Sequence, residues 1–302
     1  MSKQKFTAWV EAARLRTLPL ALSGISLGGF LAAFFDTFNF LIFLFTLITA
    51  FFLQILSNFA NDLGDTVNGA DSQERQGPVR AVQSGVITVS EMKGGIIVTS
   101  VITLVSGIFL LWLSFAKIDA VFLFFLLLGL AAIGASIKYT VGKKPYGYAG
   151  FGDLFVFFFF GMVSVLGSFY LQAGFVHPGL LLPAFSAGVF SVAVLNINNI
   201  RDIKSDRLAG KNTIPVRLGE RKAKFYHLCL LGSGFLAALF FIFLYYKSSI
   251  QLLFILSIPV FLKNGSQVWE KSGFELDPLL KQMAISTLLF VLLFGIGLII
   301  VS

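Results

Sequence analysis

Nine apolar runs divide this chain, and they constrain it more than any other feature. They fall at about 17–36, 40–61, 94–116, 119–138, 152–172, 179–200, 226–246, 248–263 and 282–301. About twenty residues of helix match the roughly 30 Å hydrocarbon core of a bilayer. In that medium backbone N–H and C=O groups must pair within the segment, so each spanning run is expected to be a helix. Composition agrees. Of 302 residues, 57% are hydrophobic and 13% charged, where soluble domains carry about a quarter. The expected fold class is all-α: a polytopic membrane protein in one domain, residues 1–302.

Charge placement orients the chain. With the N-terminus in the cytoplasm, every Lys and Arg except Lys117 and Lys247 lies in cytoplasmic segments. That is a strong positive-inside pattern, and it leaves Ser302 outside. The formal charge of +8 is accounted for by this bias and by anionic phosphates, so no nucleic-acid partner is expected. Early lysines at the N-terminus are followed by Glu11, Arg14 and Arg16 rather than a short apolar core, which argues against a cleaved signal. Phe6, Trp9, Val10 and Ala13 share a helical face there, as an interfacial helix would have. Cys229 is a single cysteine, and His177 and His227 are far apart, so neither a disulfide nor a zinc site is expected.

Two acidic clusters carry the chemistry. "NFANDLGDTVNGAD" ends the second run, with Asn58, Asp62 and Asp65 within about 60° of one helical face. Asp71 follows Gly69 and is expected on a turn. "NINNIRDIKSD" ends the sixth run, with Asn198, Asp202 and Asp206 four apart. Clusters after the second and sixth spans suggest two four-span halves, about 17–138 and 152–263, plus a ninth span. Facing carboxylates repel unless a cation lies between them. Mg²⁺ suits oxygen donors and commonly adds substrate phosphate to a few carboxylates. Basic residues stand nearby: Arg75 and Arg80 after the first cluster, and Arg201, Lys204, Arg207, Lys211 and Arg217 around the second. Arg80 and Lys211 follow glycine turns and are the stronger phosphate candidates.

These motifs, with "RTLPLA", "GPVRAVQSG", "YGYAGFGDLFVFFFFG" and "NNIRDIKSDRLAGKNTIPVRLG", resemble the UbiA superfamily of intramembrane prenyltransferases. Within it they resemble the branch acting on 1,4-dihydroxy-2-naphthoate in menaquinone synthesis. The resemblance implies nine transmembrane helices around a central cavity capped by cytoplasmic loops, in a bacterial inner membrane. It implies a polyprenyl diphosphate donor, the naphthoate acceptor, Mg²⁺ as cofactor, and release of diphosphate and CO₂ to give demethylmenaquinone. It places Asp62, Asp65, Asp202 and Asp206 at the magnesium diphosphate, with Asn58 and Asn198 beside them. Acceptor contacts are expected from "SIKYTVGKKPYGYAGFGD": Lys138, Tyr139, Lys143 and Lys144, the last two where relatives often read Gly-Pro. Asp153 is either an acceptor-side base or a helix cap. Rings of Phe155 to Phe160 are candidates for a carbocation-stabilising wall or for lipid-facing packing. The aspartates leave 4-hydroxybenzoate, homogentisate or haem open as acceptors. A cation-coupled transporter fits less well, because its acids belong at mid-membrane.

Overall fold

The computed structural model describes residues 2–69, 79–142 and 145–302, and the regular elements among them are all helical. A short α1 (Lys3–Ala12) precedes α2 (Leu18–Phe34), α3 (Phe40–Val67), α4 (Val89–Ser114) and α5 (Ala120–Lys138). Next come α6 (Gly152–Ala173) and α7 (Pro178–Arg201). Two small helices, α8 (Ile203–Leu208) and α9 (Ile214–Leu218), lead into α10 (Glu220–Leu244). The chain ends with α11 (Ser249–Glu270) and α12 (Gly273–Ile299). Among the described residues eight helices are long and apolar enough to cross a membrane, and α2 is a shorter ninth at 17 residues. The protein is an integral membrane protein.

The helices outrun the apolar stretches that announce them. α4 begins at Val89 rather than 94, α10 at Glu220 rather than 226, and α3 runs on to Val67 rather than 61. Polar turns at the membrane surface keep helical hydrogen bonding while their side chains reach water or each other. At α4 the start is a capping box: Thr88 Oγ1 accepts from Glu91 N–H, and Glu91 accepts from Thr88 N–H at 3.0 Å. The eighth apolar run is short, but its first turns, Ser249–Ser257, are wound as a 3₁₀ helix. At about 2.0 Å per residue that winding extends its reach.

Helix α7 occupies the centre. In its apolar stretch 78% of residues are buried, against 11% in lipid-facing α5. Small residues allow this. A side chain on Gly161 would collide with the Gly188 backbone, and side chains on Gly24 and Gly28 would collide with Ser164 and Ser168. Close backbone approach through small residues is how membrane helices gain packing contact without a hydrophobic drive between them. The contacted part of α6, Phe157–Gly167, is wound as a π-helix.

The two sides of α7 differ. Towards α10, α11 and α12 the interior is filled with rings: Phe190 lies 4.7 Å from Phe261 and 5.0 Å from Phe290, and Phe254 lies 5.5 Å from Phe294. Towards α2, α3, α4 and α5 a cavity remains open. Helix α1 packs on α3 through part of the face its sequence suggested, Trp9 and Ala13, and leaves Phe6 and Val10 of that face outward. Ala8, Ala12 and Ala13 are buried and the Trp9 ring packs on Phe59, while Phe6 and Val10 are exposed. Alanines permit the close approach to α3 and α4 that Phe6 does not.

Candidate active site

Both acidic clusters lie at the same end of the bundle and meet there. On α3, Asp65 is buried and accepts three bonds: from Arg80 Nη2 at 2.6 Å, Lys211 Nζ at 3.0 Å and the Tyr148 hydroxyl at 3.0 Å. Lys211 comes from the other cluster. Its nitrogen also lies 3.6 Å from Asp206 Oδ1 and 4.7 Å from the centre of the Tyr148 ring. The turn that delivers it uses Gly210 at φ +71°, and Lys211 N–H donates back to Asp206 C=O at 2.8 Å. A residue in this left-handed conformation is most readily glycine. One ammonium group thus bridges carboxylates from two helices, in the position a cation between the clusters would take.

The remaining acidic residues have other partners. Both carboxylate oxygens of Asp62 accept backbone N–H groups, from Ala81 at 3.2 Å and Val82 at 3.0 Å. Asp62, expected among the metal ligands, fastens the 79–85 turn to α3 here. The same turn carries Arg80, whose guanidinium also donates to Asn61 C=O. Asp202 is held at 2.9 Å by Nε of its neighbour Arg201, and Nη2 of that residue bonds both Asp202 and Asn198 Oδ1. Asp206 lies on α8 beyond the kink at Asp202. Burial pushes its carboxyl up to about 6; Lys211 opposes this, and Asp202 and Asp65 add to it.

Asn58 does not face the clusters. Its amide donates to Ala13 C=O at 2.8 Å and Thr17 Oγ1 at 3.2 Å. It holds the break between α1 and α2, where Arg14 has a left-handed backbone at φ +49°. Lys138 is exposed at the end of α5, outside the cavity lining. Asp153 sits in the first turn of α6, where its carboxylate accepts from its own backbone N–H and from the Tyr226 hydroxyl at 3.1 Å, and it does not line the cavity. Asp71, Arg75, Lys143 and Lys144 lie outside the described residues. Tyr139 does line the cavity, and burial, followed by Asp65, Asp153 and Asp206, raises its phenol so that it stays a hydrogen-bond donor.

The cavity has a volume of about 370 Å³ and starts at Asn58, Asn61, Tyr139 and Tyr146. Asn61 stands one helical turn before Asp65. The wall beyond is almost wholly apolar and includes Phe155, Phe159 and Phe160 of the phenylalanine run. Tyr146 stacks on Phe155 with ring centres 4.0 Å apart. Of the other two rings, Phe157 packs on Phe185 and Phe158 is exposed. Ile108 on α4 and Leu130 on α5 line the cavity and are also exposed, so it opens sideways towards lipid.

Sequence reasoning missed Asn61, Tyr148 and Asp277. For Asn61 a signal existed: Asn61 and Asp65 are four apart, as are Asn198 and Asp202. Tyr148 lies in the quoted "YGYAGFGD" stretch, but nothing there singles it out from Tyr146. Asp277 bonds Arg201 across 76 residues, and no local pattern points to it.

The family model for the UbiA prenyltransferase family matches residues 21–284. The chain belongs to that family. It is 48% identical to the 1,4-dihydroxy-2-naphthoate octaprenyltransferase of Escherichia coli (strain K12), over 96% of this chain and 94% of that one. Its fold resembles the apo structure of a UbiA homolog from Aeropyrum pernix K1, with a TM-score of 0.65 at 17% identity, covering 99% of both chains. It also resembles a UbiA homolog from Archaeoglobus fulgidus bound to DMAPP and Mg²⁺, with a TM-score of 0.60 at 20% identity, covering 95% of this chain and 99% of that one.

Proposed function

We propose that this member of the family transfers a polyprenyl group from its diphosphate to 1,4-dihydroxy-2-naphthoate, releasing diphosphate and CO₂, at the cytoplasmic face of a bacterial inner membrane. The observation that carries this reading is the Lys211 bridge between Asp65 and Asp206 beside an apolar, laterally open cavity. The acceptor is taken from the E. coli relative at 48% identity. The concentration of Lys and Arg at the acidic end supports the cytoplasmic orientation.

The donor set suits magnesium. It consists of hard carboxylate oxygens from two helices, with no thiolate or imidazole nearby. Among the described residues no three His, Cys, Asp or Glu side chains lie close enough to form a ready-made metal site. Asp65, Asp202 and Asp206 would hold the ion after exchanging their bonds to Arg80, Lys211 and Arg201. Magnesium, when bound, neutralises charge on the departing diphosphate.

The chain's own groups do the rest. Arg80 and Lys211, released from Asp65, donate to phosphate oxygens as charge develops there. Tyr139, Tyr146 and Phe155 present aromatic surface where the allylic carbon loses its leaving group, and ring faces attract a cation. The apolar wall keeps water from that cation. The tail runs down the cavity and leaves sideways past Ile108 and Leu130. The acceptor carbon bearing the carboxyl attacks the cation, and CO₂ departs from the same carbon.

The test uses detergent-purified protein with Mg²⁺, a polyprenyl diphosphate and, in parallel, dihydroxynaphthoate, 4-hydroxybenzoate or homogentisate. Prenylated product from dihydroxynaphthoate alone is expected. Product only from another acceptor overturns the acceptor assignment, and none from any overturns the activity.

A further inference from the structure

Asp277 opens the ninth span far from either acidic cluster, yet the structure places it at the second one. Its carboxylate accepts from Arg201 Nη1, and the two side chains are 15% and 1% exposed. The other donors of Arg201 go to Asp202 and to Asn198 Oδ1. One buried guanidinium is therefore held between two carboxylates, one from each side.

A guanidinium does not deprotonate in a protein. Buried, it keeps a counter-ion, because an uncompensated buried charge is strongly destabilising. With Asp202 as its sole partner, Arg201 would hold that carboxylate against any competing cation. With Asp277 on its other edge, Arg201 stays neutralised while Asp202 turns away.

We propose that Asp277 is a positioning residue: the counter-ion of Arg201 that frees Asp202 to bind the divalent metal of the diphosphate site. This rests on the reading of Asp202 as a metal ligand. Asp277 acts through Arg201 and touches neither substrate nor metal.

The experiment measures Mn²⁺ affinity by electron paramagnetic resonance on the full-length protein in detergent, with inorganic pyrophosphate as the anion. Asp277→Asn is expected to weaken Mn²⁺ by about tenfold, the effect of roughly one pKa unit expected from a single neighbouring charge. KM for the aromatic acceptor stays within about twofold, since only the Asp202 end is altered. In an Arg201→Gln background, Asp277→Asn is expected to lose most of that effect. An equal loss in both backgrounds overturns the proposal, because Asp277 would then act through the general field. Unchanged Mn²⁺ affinity in Asp277→Asn also overturns it. If Arg201→Gln does not fold, Asp277→Glu decides: near-normal affinity supports the proposal, and the asparagine-like loss refutes it. Asp202→Asn checks the underlying reading separately, for normal Mn²⁺ affinity there removes Asp202 from the metal site whatever Asp277 does.

Discussion

Replacing Asp62 separates the sequence's view of this residue from the structure's. Spacing puts Asp62 among the metal ligands; the fold puts both its oxygens on the N–H groups of Ala81 and Val82, with the residue 2% exposed. Asp62→Ala strands two buried backbone donors. Each costs about 1–3 kcal/mol, so the turn bearing Arg80 is loosened by roughly 2–6 kcal/mol in total. Asp62→Asn keeps one acceptor oxygen and should lose about half as much. The thermal midpoint should therefore fall in the order wild type, Asp62→Asn, Asp62→Ala. KM for the prenyl diphosphate should rise in the same order, by tenfold or more for alanine at about 1.4 kcal/mol per decade. In an Arg80→Ala background that KM effect should disappear, because Asp62 acts on the diphosphate through Arg80. Mn²⁺ affinity should change little in Asp62→Asn. Loss of Mn²⁺ binding in that variant with an unchanged thermal midpoint would refute the reasoning and return Asp62 to the metal.

Three other outcomes are expected. Asp206 titrates near 6 because burial penalises its charged form. In the metal-free protein its neutral form favours the fold; that contribution is complete below about pH 4 and lost as pH rises through about 6. Metal needs the anion, so Mn²⁺ affinity should fall by up to about tenfold per unit below pH 6, and a titration of Asp206→Asn should lack the inflection. Lys211→Ala removes the cation between Asp65 and Asp206 and should cut pyrophosphate affinity by about tenfold or more; isothermal titration with unchanged affinity would count against the bridge as a phosphate group. Asn58→Ala releases the Ala13–Thr17 break and should lower stability by about 1–3 kcal/mol while leaving Mn²⁺ affinity intact, since its partners are Ala13 and Thr17.

The fold was legible because a bilayer leaves a chain few options. Apolar length, charge bias and the two Asn-x₃-Asp patterns located nine helices and the end of the bundle that carries the site. Side-chain destinations were less legible. Asp62 and Asp65 are three residues apart, and helical spacing makes them neighbours. Yet one turns to a backbone turn and the other to Lys211, a divergence set by the loop packed against each. Asn58 and Asn61 are three apart on α3 and both line the cavity, so spacing alone does not rank them. Lys138 and Asp153 have the right chemistry and the right loop, but their side chains end outside the cavity wall.

The sequence by itself determined the solvent, the span count, the charged end and the kind of chemistry, because these follow from local composition and from spacing along single helices. The tertiary structure decided which carboxylates share a cation, which are spent on backbone N–H groups, and which side of α7 stays open. Those depend on contacts between residues tens to hundreds of positions apart: Lys211 with Asp65 across 146 residues, and Arg201 with Asp277 across 76. No periodicity encodes such distances. They arise when buried charges, which water cannot solvate, take whatever partner the packed helices bring within reach.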